Sequence, residues 1–292
     1  MKIIKENRIF SFLVIFISYI LAFAVGMFVY KKLSGSFTST DFSYLNLFIA
    51  DVAATVFIYL IGMIFKNASI YDPYWSVQPL VIIPIIMVMH NNFSFSAILL
   101  LIVVALWGIR LTVNWAYTFK NLNHQDWRYS YLHKKTGKFF FLVSLFGINL
   151  FPTTVVFLCM VPAINYIIVG GAVSIFIILG MLISLMGIIF QFLSDIQMQT
   201  FRNEVTDKTV IIRIGLWKKS RHPNYFGEIL MWFGVAIMNF AIDPSSWYMI
   251  LGAVINLLMF LFISVPLAEG RLSRYKSDFE KYKEETRMFL PF

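Results

Sequence analysis

Six stretches of this chain, 9–30, 43–65, 96–119, 138–160, 170–193 and 246–267, each run apolar for about 20 residues, and nothing else in it restricts the fold as much. A run of that length matches the hydrocarbon core of a bilayer, where every backbone N–H and C=O must be satisfied within the segment itself. Two shorter runs, 74–89 and 225–242, read as tilted or partly recessed spans. The expectation is an all-α, polytopic transmembrane helical bundle of about eight spans (seven to eight). Composition agrees, with 59% hydrophobic and only 13% charged residues where soluble domains carry roughly 25% charged. The first run has a basic start, as a signal peptide would. It is too long and lacks a small-residue cleavage site, so it reads as a retained anchor.

Charge orients the bundle. Loops rich in Lys and Arg stay on the cytoplasmic side. With eight spans and both termini cytoplasmic, 21 of the 24 Lys and Arg fall inside, Lys31 and Lys32 fall outside, and Arg110 lies within a span. The net charge of +9 is therefore a topology signal and does not point to nucleic acid. The single cysteine, Cys159, excludes disulfide frameworks, and His90, His124 and His133 have no metal-site spacing. Outside loops (90–95, 161–169, 243–245) are short and nearly uncharged, while the longer inside loops 120–137 and 194–224 and the tail 268–292 hold the unusual residues. The tail ends in FLPF, which is expected to return to the interface. Polar chemistry is thus expected to face the cytosol.

Ionisable residues in membrane helices are costly and mark function by default. Here they form stripes. Arg110, Asn114 and Tyr117 recur at i, i+4, i+7, and Gln191, Asp195 and Arg202 at i, i+4, i+11. Asn224 and Glu228, and Arg271 and Tyr275, are i, i+4 pairs. Together they would line one cationic, hydrogen-bonding pocket at the cytoplasmic helix ends. The competing reading is that the arginines snorkel to headgroups and that Asp195 and Arg202 form an interfacial ion pair. Asp51, an isolated acid in an apolar span, reads as a helix-packing contact.

The stretch SRHPNYFGE (220–228) has a mechanical meaning. Pro223 suits the first turn of a helix, so the seventh span should begin at about 222–224. Its free N–H groups and positive dipole end favour an anion, and Arg221 and His222 add donors. Gly227 permits close approach of a helix or ligand. The segment from Arg221 through Tyr225 to Glu228 would suit a phosphate-bearing or zwitterionic cofactor. A basic cap with a proline start explains Arg221 and Pro223 but not Asn224 and Glu228 on one face.

GLWKKSRHPNYFGEILMWFG (215–234), with Arg271, Tyr275 and the FLPF ending, resembles the steroid 5-alpha-reductase superfamily. The closer likeness is to its uncharacterised bacterial-type membrane branch, on DPYWS (72–76), WGIRLTVNW (107–115) and QDWRY (125–129). The resemblance covers about 70–292, leaving 1–69 as an N-terminal pair of helices. RHP-x-Y-x-G also occurs in isoprenylcysteine carboxyl methyltransferases. The superfamily implies NADPH bound from the cytosol and reduction of a carbon–carbon double bond, typically one conjugated to a ketone. By position, Gln191 replaces a family asparagine, and Asp195 and Arg202 match a dinucleotide-binding acid and arginine. Asn224 and Glu228 match the N-x-x-x-E motif, Arg110 a cofactor-proximal arginine, Tyr275 a C-terminal tyrosine and Arg271 a cofactor-contacting histidine. There is no G-x-G-x-x-G, so a dinucleotide would sit among helices.

The glutamine–glutamate pair and tyrosine that polarise the ketone in steroid reductases are not visible here. Asp72, flanked by Tyr71 and Tyr74, falls at about the right distance before Arg110, and Trp107 falls where the tyrosine would be. Asp72 and Tyr74 are the candidate catalytic groups, since hydride delivery needs an acid for the developing enolate. Alternatively Asp72 and Pro73 only start the third helix. The leading expectation is a multi-pass NADPH-dependent reductase of a lipophilic enone, steroid-like or isoprenoid, in the cytoplasmic membrane with its site facing the cytosol. Its partners would be a lipophilic small molecule and membrane lipid. The alternatives are an S-adenosylmethionine-dependent methyltransferase and a non-catalytic lipid-binding protein.

Overall fold

A computed structural model describes residues 6–290; the cations Lys2 and Lys5 and the last two residues of FLPF lie outside the described residues. Among the described residues the secondary structure is helical, with one isolated β-bridge between Ser220 and Arg287. Seven helical stretches among the described residues are long and apolar enough to cross a membrane. The remaining run, the seventh in chain order, forms a helix of 17 residues that rises about 26 Å, slightly less than a hydrocarbon core of about 30 Å.

The helices are α1 (Arg8–Ser34), α2 (Tyr44–Phe65), α3 (Tyr74–Met89), α4 (Phe95–Thr118), α5 (Trp127–Thr136), α6 (Phe151–Val169), α7 (Ile175–Glu204), α8 (Pro223–Asn239), α9 (Leu251–Met259), α10 (Val265–Tyr275) and α11 (Phe279–Glu285). Side-chain caps set several starts. Asn7 accepts from the Phe10 N–H, Ser43 from Asn46 and Asp126 from Arg128. The third helix starts otherwise than the sequence suggests. Pro73 occupies the N-cap and Asp72 caps no helix start with its side chain. The loop expected at 161–169 is helical, since α6 runs to Val169. The prolines inside α3 (Pro79, Pro84) and α6 (Pro162) are tolerated because neighbouring helices can re-satisfy the freed carbonyls.

Two segments are π-helical, Val143–Leu150 and Phe260–Ser264. In the first, the buried Asn149 amide donates to the Ser144 carbonyl at 2.7 Å, one wide turn earlier. Such bulges re-aim side chains and recur near functional sites.

Chain contacts define two compact units. One comprises Met1–Asn92 with Gly108–Phe157, the other Phe93–Trp107 with Leu158–Phe292. In the first unit α1 packs on α2, and a core of Ile15, Ala54, Ile58, Ile70, Tyr71 and Phe119 forms beneath them. In the second, α7 and α8 pair along their length through small residues. A Cβ added at Gly187 would lie 2.5 Å from the Gly227 carbonyl oxygen, and one at Gly180 2.5 Å from that of Gly234. The Ser184 hydroxyl, between these crossings, donates to the Met231 carbonyl at 2.9 Å. The close approach expected at Gly227 is thus made by a helix, in the small-residue manner of membrane interfaces. Helix α7 is 30 residues long, so it rises about 45 Å and carries Asp195 and Arg202 toward or past a bilayer boundary.

Candidate functional site

In the first unit, one face each of α1, α2 and α3 leaves a narrow cavity of about 100 Å³. Its wall on α1 is Tyr19, Ala22, Phe23, Gly26, Met27 and Tyr30, a single helical stripe. The other walls come from α2 around Ala50–Ala54 and from a stripe of α3 that starts at Tyr74. Nearly all of this lining is apolar. The exceptions cluster around Asp51 of α2, which is 5% exposed. Tyr74 and Gln78, one turn apart on α3, both reach it. The Tyr74 hydroxyl donates to Oδ1 at 3.3 Å, and the Gln78 amide donates to Oδ2. Gln78 Oε1 is buried and accepts no hydrogen bond, and the same is true of the Tyr30 hydroxyl further along the cavity. Tyr19 stacks edge-on to Tyr74 at 5.6 Å and donates to the Ile70 carbonyl.

Asp72 is placed elsewhere. Its Oδ1 accepts from the Tyr129 hydroxyl, Arg128 and Asp126 lie in electrostatic reach, and it does not line the cavity. Of the two expected catalytic residues, Tyr74 is on the cavity. The acid beside it is Asp51, which its isolation in an apolar span marks in the sequence as a helix-packing contact. The usable signal was an ionisable residue in an otherwise apolar span. Nothing in the sequence paired it with Gln78.

In the second unit, the Glu228 carboxylate accepts three side-chain hydrogen bonds. Its Oε2 accepts from the Trp107 indole at 2.8 Å and from the Gln191 amide, and its Oε1 accepts from the Trp232 indole at 2.9 Å. The i, i+4 spacing of Glu228 and Trp232 on α8 makes that last contact local. Gln191 Oε1 accepts nothing. Glu228 is thus held by side chains of its own unit, and Asn224, one turn earlier, is half-buried.

Helix α8 begins at Pro223 with His222 at its N-cap, where the sequence placed it. Arg221 and His222 are turned to the C-terminal segment. Arg221 Nε donates to Glu269 Oε1 at 2.8 Å, Nη1 donates to the Lys283 carbonyl at 3.0 Å and to the Thr286 carbonyl, and His222 Nε2 lies 3.0 Å from the same Glu269 oxygen. The His222 ring stacks on Tyr225 at 5.1 Å, and Tyr225 in turn meets Phe260 at 4.6 Å. The backbone N–H groups of Arg221 and His222 donate to Arg287 and Met288. Burial pushes the Tyr282 hydroxyl up to about 12, so it stays a neutral donor to the Trp217 carbonyl. These contacts favour a structural lock for Arg221 over a phosphate grip.

Three further cations, Arg202, Arg271 and Lys276, lie in the same unit. Arg202 feels both Arg271 and Asp195, and the Arg271 guanidinium lies 6.0 Å over the Tyr275 ring, which is largely exposed. Lys276 joins them. Burial holds its amine below the usual lysine range, Asp207 opposes that, and Arg202 adds to it. Like charges held together in this way suit a polyanion. Arg110 and Asn114, half-buried on α4, belong to the first unit.

The family model that matches the chain is described as "Protein of unknown function (DUF1295)" and covers residues 58–286. Comparison with curated proteins and comparison with solved structures each gave no match.

Proposed function

We propose that this chain, which belongs to the DUF1295 family, is an integral membrane reductase that uses NADPH to saturate a carbon–carbon double bond conjugated to a carbonyl in a lipophilic substrate. One observation carries the reading. An apolar cavity inside a membrane-spanning unit holds a single buried acid, Asp51, bridged by Tyr74 and Gln78. The walls select an apolar body and the three polar groups select one polar head. Tyr74 and Gln78 orient the Asp51 carboxyl, so that in its protonated form it donates to the substrate carbonyl and stabilises the enolate that develops there. When bound, the cofactor would supply the hydride for the β carbon, and the Asp51 proton, taken up by the enolate oxygen and passed to the α carbon on tautomerisation, would supply the second hydrogen. Tyr74 and Gln78 also keep bulk water from the acid. Asp51 thus takes the role that the resemblance suggested for Asp72.

For the cofactor, the chemistry of Arg202, Arg271 and Lys276 fits the diphosphate and 2′-phosphate of NADPH. Asn224, one turn into α8, is retained as an amide contact. Arg221 and Glu228 are assigned to support of the fold. The distribution of Lys and Arg supports a cytosolic placement of 205–222.

The test is spectroscopic. Purified protein in nanodiscs should bind NADPH more tightly than NADH, and Arg202→Ala should weaken NADPH by about tenfold, the value of a charge-assisted hydrogen bond. Asp51→Asn should leave nucleotide binding unchanged and abolish NADPH oxidation in the presence of a lipid enone. Tight S-adenosylmethionine binding without NADPH binding would overturn the proposal in favour of a methyltransferase.

A further inference from the structure

The cavity of the first unit is long as well as apolar. Its lining on α3 is Tyr74, Val77, Gln78, Val81, Ile82, Ile85 and Met89, one stripe along the whole helix. From Tyr74 to Met89 the helix rises about 22 Å. The α1 stripe from Tyr19 to Tyr30 runs beside it over about 16 Å. A volume of about 100 Å³ spread along that lining makes the cavity narrow. Small side chains, Ala22, Gly26, Ala50 and Ala54, form the wall opposite α3. At its far end the passage continues into a second, more open hollow between α1 and α3. The two share Met27, Phe37, Ile85 and Met89, and the second adds the exposed Val88.

The polar groups are as unevenly spread as the shape. Asp51, Tyr74 and Gln78 gather at the end away from the second hollow, the middle is apolar, and the Tyr30 hydroxyl lies toward the other end. Gln78 is 4% exposed, and its Oε1 is an acceptor without a donor. Its amide N–H side is committed to Asp51. A buried acceptor left in this state is destabilising unless something donates to it. The occupant therefore needs an O–H or N–H beside the oxygen that meets Asp51.

We infer that the cavity is a tunnel for a single-chain lipid whose head both accepts and donates a hydrogen bond, an acyl acid or amide, with the chain lying along α3 and its end leaving between α1 and α3 near Val88. This rests on the cavity being the substrate site and narrows the substrate to an unbranched or isoprenoid chain carrying an α,β-unsaturated acyl head. The chain end exits at the end of α1 that carries Lys31 and Lys32, opposite the charge-rich loops. Loading is thus from lipid and not from the cytosol.

The tunnel makes the protein a ruler, and that is testable. In nanodiscs, straight-chain acids from octanoic to eicosanoic compete against tritiated hexadecanoic acid, alongside their methyl esters and a sterol ketone. The acids should show a chain-length optimum and bind about tenfold more tightly than their esters, which lack the donor for Gln78. Gln78→Leu should erase the acid–ester difference. Val81→Trp blocks the passage about 10 Å from Tyr74, and Ile85→Trp about 16 Å from it. The optimum should move to shorter acids in both, further in Val81→Trp, while the shortest acid still binds. Retention of the shortest acid shows that each variant is folded. A flat chain-length profile, or sterol ketone binding as well as the best acid and indifferent to both tryptophans, would overturn the tunnel. The reductase reading is scored separately by NADPH oxidation. A ruler with no oxidation of NADPH on 2-enoic acids leaves the tunnel standing and removes the reductase. NADPH oxidation on a sterol enone with no ruler does the reverse.

Discussion

At the scale of single residues, the chain handles its buried acids in three different ways. Glu269 is paired with Arg221 and hydrogen-bonded to His222, Asp51 is bridged by a phenol and an amide, and Glu228 is capped by two indoles and an amide. The last arrangement has a direct consequence. Glu228→Ala strips the acceptor from Trp107, Trp232 and Gln191 at once, and each buried donor left unmatched costs about 1–3 kcal/mol. Part of that loss will be recovered by relaxation or by water, so a destabilisation of about 2–4 kcal/mol is expected. Thermal unfolding in detergent reads it. Glu228→Gln, which keeps the size and one acceptor, should fall between Ala and the native chain. Nucleotide affinity in Glu228→Gln should match the native value. A loss of affinity at native stability would instead put Glu228 against the cofactor. The sequence marked Glu228 as unusual for its place in an apolar run. It could not mark Trp107 as a partner, since 121 positions separate them.

At the scale of elements, the α7–α8 pair depends on having no side chain at two crossings. Alanine at Gly187 would set its Cβ 2.5 Å from the Gly227 carbonyl oxygen and 2.7 Å from the Met231 nitrogen, both backbone atoms of α8 that cannot rotate away. The helices would have to separate, at a cost typical of overpacking, about 1–3 kcal/mol. Gly187→Ala should therefore lower the unfolding midpoint measurably. Gly147→Ala is the contrast. Gly147 is exposed in the π-helical segment, and its new Cβ would meet only Val143 at 3.9 Å. That substitution should be neutral within error. Equal destabilisation by both would mean that the glycines matter through backbone freedom and not through the crossing. The start of α8 was legible from Pro223, and the role of Gly227 was half-legible. That α7 supplied the partner was not.

At the scale of the whole molecule, the alternation of spans and the placement of cations predict a sidedness. Reporter fusions within the loops at 122 and 207 should report cytoplasmic, and fusions at 172 and 243 should report the opposite side. These positions lie between helices, in 119–126, 205–214, 170–174 and 240–246. A fusion at 207 on the outer side would take Arg202, Arg271 and Lys276 away from cytosolic NADPH and end the cofactor reading.

The sequence by itself determined that the chain is helical, that it spans a bilayer many times, and where most of its helices begin and end. Those properties depend on local quantities, namely runs of about 20 apolar residues, prolines and capping side chains, and the positions of Lys and Arg between the runs. The tertiary structure alone decided which polar residues share a neighbourhood. The stripes 110–114, 191–202, 224–228 and 271–275 each looked alike as spacing. Folding put Gln191 with Glu228, Arg202 with Arg271, and Arg110 and Asn114 in the other unit. Helical periodicity says which face a residue is on but not which helix that face will meet. Asp51 shows the limit most plainly. One carboxyl in an apolar span reads the same whether it pins two helices or closes a cavity, and only the placement of Tyr74 and Gln78 beside an open passage distinguishes the two.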